Sequence, residues 1–303
     1  MNYSDLRARV AEMLGLPDDD SEFSTKINKW INESYKAISA LDQWPWLIKN
    51  DVIQTVTEIT TGTVSVTNDS TSITFSSAPS DSVANDWRIQ FEGADDWYDI
   101  SAHTAGATGA TLADPFLGTT DATSTYTLRK VYYSLPSDFS KMMTVRQAVT
   151  DIKLRPVDLR VWDANIPDPT RVHTPAWYLI VGQDSSQNYR ITFHPIPNDE
   201  INIDIRYYQT VSDLSADSDE PLMPDQFRPI IVFDVLSKYG YMFLDDTRVT
   251  LASQLREKFI KDMKGHGWPD PDKTVCRIPW DRSMWRSRGH YSRLPFDFPI
   301  QNP

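Results

Sequence analysis

The chain has 303 residues, 40% of them hydrophobic and 12% aromatic, which is enough apolar content for about two packed domains and too much for an intrinsically disordered chain. A net charge of −12 repels nucleic acid over most of the surface and argues against a DNA-binding enzyme. The single cysteine, Cys276, excludes an intramolecular disulfide. No uncharged apolar run approaches the ~18 residues of a membrane span, and polar Met1 to Asp5 carry no signal-peptide core, so the expectation is a protein made in the cytoplasm.

In chain order, Ser4 to Leu14 read as a short helix capped by Ser4, with Leu6, Val10, Met13 and Leu14 on one face. A second helix follows, with Ser24 as its cap. Its stripe of Ile27, Trp30, Ile31, Ser34, Ile38 and Leu41 keeps helical spacing and stops before Trp44-Pro45. Trp44, Trp46 and Leu47 are expected to seal the end of this helical layer.

Composition changes at Asp51. From there to Leu128 roughly a third of the residues are Ser or Thr, and strict alternation replaces the helical period. Val64 and Val66, Ile73 and Phe75, and Trp87, Ile89 and Phe91 mark short strands. Tyr98 and Ile100, then Tyr126 and Leu128, complete the set, with turn chemistry at Asn68-Asp69 and Gly93. This pattern predicts a small β-sandwich or barrel with eleven carboxylates and one arginine, Arg88.

The turn Leu135-Pro136-Ser137-Asp138-Phe139 leads into a second layer. Val157 to Ala164 read as a short helix, and Tyr178 to Val181, Arg190 to Phe193 and Ile201 to Tyr208 as a hairpin or three-stranded meander. Two long helices end this part. The first has Pro224 in its opening turn and follows Phe227, Ile230, Ile231, Asp234, Val235, Lys238 and Tyr241. The second, Thr250 to Lys264, places Leu251, Leu255, Phe259 and Met263 at intervals of four, and a short loop makes the pair antiparallel. The expected fold is α+β: a discontinuous antiparallel helical bundle with a small β-sandwich or barrel insertion and an extended C-terminal arm. The expected domains are 1–50 with 134–270 (helical core and β-meander), 51–133 (β-rich insertion) and 271–303 (arm).

The arm is distinct in composition. Cys276 to Pro303 hold Arg277, Arg282, Arg286, Arg288 and Arg293 against two acids, and Trp280, Trp285, Tyr291, Phe296 and Phe298 among four prolines. It is +3 while the other 275 residues are −15. Trp, Tyr and Arg dominate interface hot spots, so these ten residues are the candidate partner-binding set. Packing along its own domain, or contact with nucleic acid by arginine and stacking, are the alternatives.

Catalytic signatures are missing: no phosphate loop, dinucleotide fingerprint, nucleophile elbow or HExxH helix occurs. His103, His173, His194, His266 and His290 are scattered, and Cys276 has no nearby partner. Asp18-Asp19-Asp20 resemble half a calcium loop without its glycine and distal glutamate. Asp95, Asp96 and Asp99 beside Trp97 and Tyr98 suggest at most a glycosidase pair or, with Trp87, a sugar-stacking platform. The second keeps a glycan-binding or tail-tip recognition protein as the alternative function. No cofactor or metal is expected.

Several stretches together resemble the head–tail adaptor (connector) proteins of tailed bacteriophages, of the tail tubular protein A type. They are Ile27-Asn28-Lys29-Trp30-Ile31-Asn32 with Trp44-Pro45-Trp46, Thr61 to Thr67 with Trp97-Tyr98-Asp99-Ile100, the turn Leu135 to Phe139, and Ile205-Arg206-Tyr207-Tyr208 running through Glu220 to Pro224 into a long helix. The resemblance implies a non-enzymatic ring of identical subunits, twelve in that family, between capsid portal and tail. DNA passes through its centre without specific binding, the helices form the ring body, and C-terminal segments clasp the portal. The implied partners are further copies, the portal and a tail tube or nozzle protein, with no membrane; the implied location is the head–tail junction of the virion.

Overall fold

The computed structural model describes residues 1–16, 21–149, 152–166 and 171–266. The described residues form a mixed α+β structure with five α-helices and a curled antiparallel sheet that forms a half-barrel. Packing divides it into two compact units, Met1–Ile48 with the chain from Tyr208 onward, and Lys49–Tyr207. The composition-based boundaries at 50/51 and 133/134 follow Ser/Thr content rather than packing.

In the first unit, α1 (Tyr3–Leu14) buries Tyr3, Leu6, Val10, Ala11 and Leu14. Its cap is Asn2 and not the expected Ser4. The Asn2 side chain accepts from the Asp5 N–H at 2.9 Å while Asp5 accepts from the Asn2 N–H at 3.0 Å, a reciprocal box that satisfies two orphan donors. Gly15, at φ 70°, closes the helix in the left-handed region. The next helix, α2 (Ser21–Ser39), contains Ser24 within it rather than at its cap, buries Ile27, Trp30, Ile31, Tyr35 and Ile38, and leaves Leu41 exposed beyond its end. Trp44 donates its Nε1–H to the Ile38 carbonyl at 3.0 Å and stacks on Trp46, closing this layer as expected.

Helix α4 (Pro229–Tyr239) packs against α1 and α2 and against α5 (Asp246–Gly265). Pro229 occupies its first turn, where a missing N–H costs nothing; Pro224 stands one step earlier, before a short 3-10 turn. Contacts Phe227–His266, Phe233–Phe259 and Asp234–Arg256 run in opposite chain directions, so α4 and α5 are antiparallel. The buried residues of α5 are Ala252 and Met263; Phe259 and Met263 of the expected stripe face the core, while Leu251 at its start is exposed. The segment before α4 is stitched onto α1 and α2. Asn32 both donates to the Leu214 carbonyl and accepts its N–H, and Tyr35 accepts from the Leu222 N–H.

The second unit holds the half-barrel, whose strands are β2 (Val64–Val66), β3 (Ser72–Phe75), β4 (Trp87–Phe91), β5 (Trp97–His103), β6 (Gly109–Leu112), β7 (Asp121–Ser124) and β8 (Tyr126–Lys130). Their order is β7-β2-β3-β6-β5-β4-β8, all neighbours antiparallel. The two edge strands are joined by Thr125 alone. Consecutive strands on opposite edges require the sheet to curl until its edges meet at that corner. The alternating residues read from the sequence fill one apolar interior, with Val64, Val66, Ile73, Phe75, Trp87, Ile89, Phe91, Tyr98, Ile100, Tyr126 and Leu128 all buried, joined by Leu112 and Phe116, which the pattern did not single out. Strands β6 and β7 lie outside the sequence expectation. Ile59 bridges Leu128 on the outer edge of β8.

Two smaller sheets share the other core of this unit. One has the order β1 (Ile48–Gln54), β14 (Asn202–Gln209), β10 (Phe139–Gln147); the other has β11 (Arg155–Pro156), β12 (Trp177–Gln183), β13 (Tyr189–His194), β9 (Tyr132–Ser134). Ile53, Tyr133, Phe139, Val145, Tyr178, Ile191, Phe193, Ile203, Ile205 and Tyr207 meet between them. The β12–β13 hairpin is as expected, but β14 leaves it for the other sheet, so the three strands do not form a meander. The short helix α3 (Leu159–Asn165), capped by Asp158, buries none of its residues. No described helix is long and apolar enough to cross a membrane.

Candidate interaction surfaces

The arm residues Arg277, Trp280, Arg282, Trp285, Arg286, Arg288, Tyr291, Arg293, Phe296 and Phe298 lie outside the described residues, as do Cys276, His290 and Asp18 to Asp20. Among the described residues no group of three or more His, Cys, Asp or Glu is placed to hold a metal ion. Of the described histidines, His103, His194 and His266 make side-chain contacts, and His173 is exposed. His103 Nδ1 accepts from the Val83 N–H at 3.2 Å, which leaves Nε2 as the protonated nitrogen facing the Ala107 carbonyl at 3.0 Å. His194 is packed between Trp162 and Trp177, and His266 lies edge-on to Phe227 at the end of α5.

The aromatic platform that a glycan needs is not open. Trp87 and Tyr98 are buried in the half-barrel, and the guanidinium of Arg129 covers the Trp97 ring at 4.7 Å. Asp99 is ion-paired with Arg88 at 2.7 Å across β4 and β5. The Arg88–Asp99 pair ties β4 to β5, and Arg129 covers one face of Trp97.

The turn Leu135 to Phe139 is a structural joint. Asp138 receives Lys49 Nζ at 2.6 Å and the Tyr207 hydroxyl at 2.8 Å, tying the start of β10 to β1 and β14. Burial raises the Asp138 carboxyl, but the hydrogen bonds from Lys49 and Tyr207 outweigh it and leave the group below the usual carboxylate range. Burial first, and the Asp138 charge second, push the Tyr207 hydroxyl up.

Two patches of large apolar side chains stay exposed. One is the elbow between α4 and α5, where Tyr241 is 65% exposed and Met242, Phe243 and Leu251 are also exposed. It is rigid underneath: Trp30 stacks on Tyr239 at 5.0 Å, Phe23 meets Phe243 edge-on at 5.9 Å, and the Tyr239 hydroxyl donates to Glu33. Burial, then Glu33, push that hydroxyl up to about 12. The other patch lies in the second unit, where Leu159 and Val161 of α3 and Trp177 of β12 are exposed. Arg155 is the register partner of Trp177, which puts a cation at this patch. Sequence spacing assigned Tyr241 and Leu251 to a core face; the signal for the elbow was the run Tyr239-Gly-Tyr-Met-Phe-Leu244, in which Gly240 ends the helix.

Residues 110–274, more than half of the chain, match the profile of the SU10 adaptor protein family. The chain belongs to that family. This places the adaptor among structural proteins of bacteriophages, a virion component with a non-enzymatic role. No curated protein matches the adaptor chain. The matched span runs from β6 to beyond α5. It includes the Asp138 joint and both exposed patches of the adaptor, and leaves out α1, α2 and strands β1 to β5.

Proposed function

We propose that this adaptor assembles as a ring between the portal of a phage capsid and the tail, of the tail tubular protein A type, and leaves a channel for DNA. The family match carries this reading. In it, α1, α2, α4 and α5 are the antiparallel bundle that makes the ring body. The copy number is twelve, as in the adaptors that the sequence resembles. The site is the head–tail junction, and the partners are further copies, the portal and a tail tube or nozzle protein.

Charge supports the same reading. A chain at −12 does not hold DNA that must slide past it. The +3 arm, with its five arginines and five large aromatics, suits an acidic protein face, and we assign the portal contact to Arg277, Trp280, Arg282, Trp285, Arg286, Arg288, Tyr291, Arg293, Phe296 and Phe298. Ordering 28 residues costs about 30–50 kcal/mol of backbone entropy, which such a segment recovers only against a surface.

Deleting Cys276 to Pro303 tests the assignment. The truncated protein is expected to remain folded by circular dichroism and to lose co-sedimentation with portal-bearing capsids. Undiminished co-sedimentation of a folded truncation removes the arm from the portal contact.

A further inference from the structure

We propose that α5 is a hinged strap. It opens from α4 as one unit, pivoting at the elbow, while α1, α2 and α4 stay folded, and the Asp234–Arg256 pair is its catch. The inference goes beyond the ring reading and does not depend on it.

Burial is uneven within the helical unit. Helix α1 buries five of its twelve residues and α4 six of its eleven, whereas α5 buries two of its twenty. Val249, Leu255, Phe259 and Ile260 of α5 are only half-buried. Helix α5 is thus the element of this unit with the least apolar burial to lose, and such elements open well below the free energy of global unfolding.

The fixings of α5 are few and mostly polar. Phe259 meets Phe233 at 5.5 Å, His266 lies edge-on to Phe227, and Lys264 stands 3.7 Å from Asp42 in an exposed pair of little worth. The central fixing is Arg256 on Asp234, which is 0% exposed. A buried ion pair adds little net stability, because both charges give up their water. Opening restores that water. It also leaves no orphan charge: Lys238, one turn along α4, stands 2.6 Å from the same carboxylate within its own helix. Asp234 therefore has a partner whether α5 is closed or open.

The pivot is built as well. Gly240 donates its N–H to the Leu236 carbonyl and closes α4, and Asp245 caps α5 by accepting the Arg248 N–H at 2.8 Å. The turn Gly240 to Leu244 thus links two helices that are capped separately. Phe243 holds that turn down, with Phe23 at 5.9 Å and Trp30 at 6.3 Å. A twenty-residue helix spans about 30 Å, so rotation at the elbow moves the far end of α5 over a distance of that order. Opening thereby changes where the segment Cys276 to Pro303 can reach.

The test is native-state hydrogen exchange on the full chain at neutral pH. Amides of α5 from Thr250 to Lys264 are expected to share one opening constant, at least about 100-fold larger than that of α4 amides from Phe233 to Tyr239. Arg256→Met is expected to speed both sets by the same factor, about 30-fold or more, because the open state has lost the pair as fully as the unfolded one. Fraying of an α5 that keeps its hold on Asp234 gives a different pattern, in which α4 speeds up and α5 does not. Asp234→Leu combined with Arg256→Met covers the case in which the single variant unfolds, and it is expected to return both sets to wild-type rates or below. Equal protection of α4 and α5 in the wild type, α5 rates that ignore Arg256→Met, or a double variant as fast as the single one overturns the inference. Exchange on the free chain needs no capsid, so failure of the ring reading leaves these outcomes unchanged.

Discussion

The half-barrel buries a cluster of apolar side chains, with Ser124 of β7 as a buried polar residue, delivered by strands that alternate inward and outward, whereas the helical unit closes around a carboxylate. Asp234 is 0% exposed in the middle of α4 and is met by Lys238 at 2.6 Å and by Arg256 of α5. Around it, α5 has twenty residues but buries only Ala252 and Met263. A sheet that curls until its edges meet satisfies itself. A surface helix held by a few ion pairs and rings leaves most of its length exposed or half-buried.

The largest effect expected from this contrast is in the half-barrel. Phe91 is buried against Phe116 and Tyr98, with ring centroids 5.0 and 5.6 Å away. Phe91→Ala is expected to cost about 3–5 kcal/mol in urea denaturation, through lost transfer energy and the cavity left behind. A loss below about 1 kcal/mol would mean that the sheet is less sealed than its pattern indicates.

Next comes the buried ion pair. Arg256→Met leaves Asp234 with Lys238 alone, and a cost of about 2–3 kcal/mol is expected, below the full penalty for a broken buried pair because Lys238 remains. Adding Asp234→Leu should recover most of that loss, since an apolar pair of similar volume replaces a buried ion pair at little cost. If the double variant is no better than Arg256→Met, the carboxylate has a task beyond balancing Arg256.

A smaller effect belongs to the joint at Asp138. Tyr207→Phe removes a hydrogen bond to a charged acceptor and is expected to cost about 1–2 kcal/mol at neutral pH. Because the folded state holds the Tyr207 hydroxyl above its ordinary value, its contribution is intact below pH about 10 and fades as pH rises beyond it. The stability gap between wild type and variant should therefore narrow in alkaline buffer, which a pH series of melting temperatures will show. A gap that stays constant would place the loss in packing.

At the bottom of the scale, Tyr241→Ser should move stability by less than about 0.5 kcal/mol, because the side chain is 65% exposed. A larger change would mean that the elbow belongs to the core of its own unit.

Much of this contrast was legible in the sequence. Alternation from Val64 to Leu128 placed the half-barrel interior correctly because a period of two leaves no choice of face. Strands β6 and β7 were hidden because they carry little apolar signal; β7 is Asp-Ala-Thr-Ser, with only Ser124 buried. The pairing of β14 with β1 joins residues about 150 positions apart, and with β10 about 60, a choice that no local pattern encodes. The second half of the α5 stripe was read correctly, since Phe259 packs on Phe233 and Met263 is buried, but an interval of four drifts off the 3.6-residue period, so at the start of the helix Ala252 rather than Leu251 is buried. The elbow went unseen because a helix period does not say which turn is the last one covered, and Tyr241 lies just past it. The arm stood out by composition, and its assignment rests on that alone.

The bridge between Ile59 and Leu128 has a consequence for how this adaptor is built. Each of the two residues donates its N–H to the other's carbonyl at 2.9 Å, so the chain enters and leaves the half-barrel on adjacent tracks about 5.5 Å apart. A two-residue hairpin turn spans that gap. The seven strands are thus a cassette on a narrow stem, open to removal or exchange with little change to the strands that carry it.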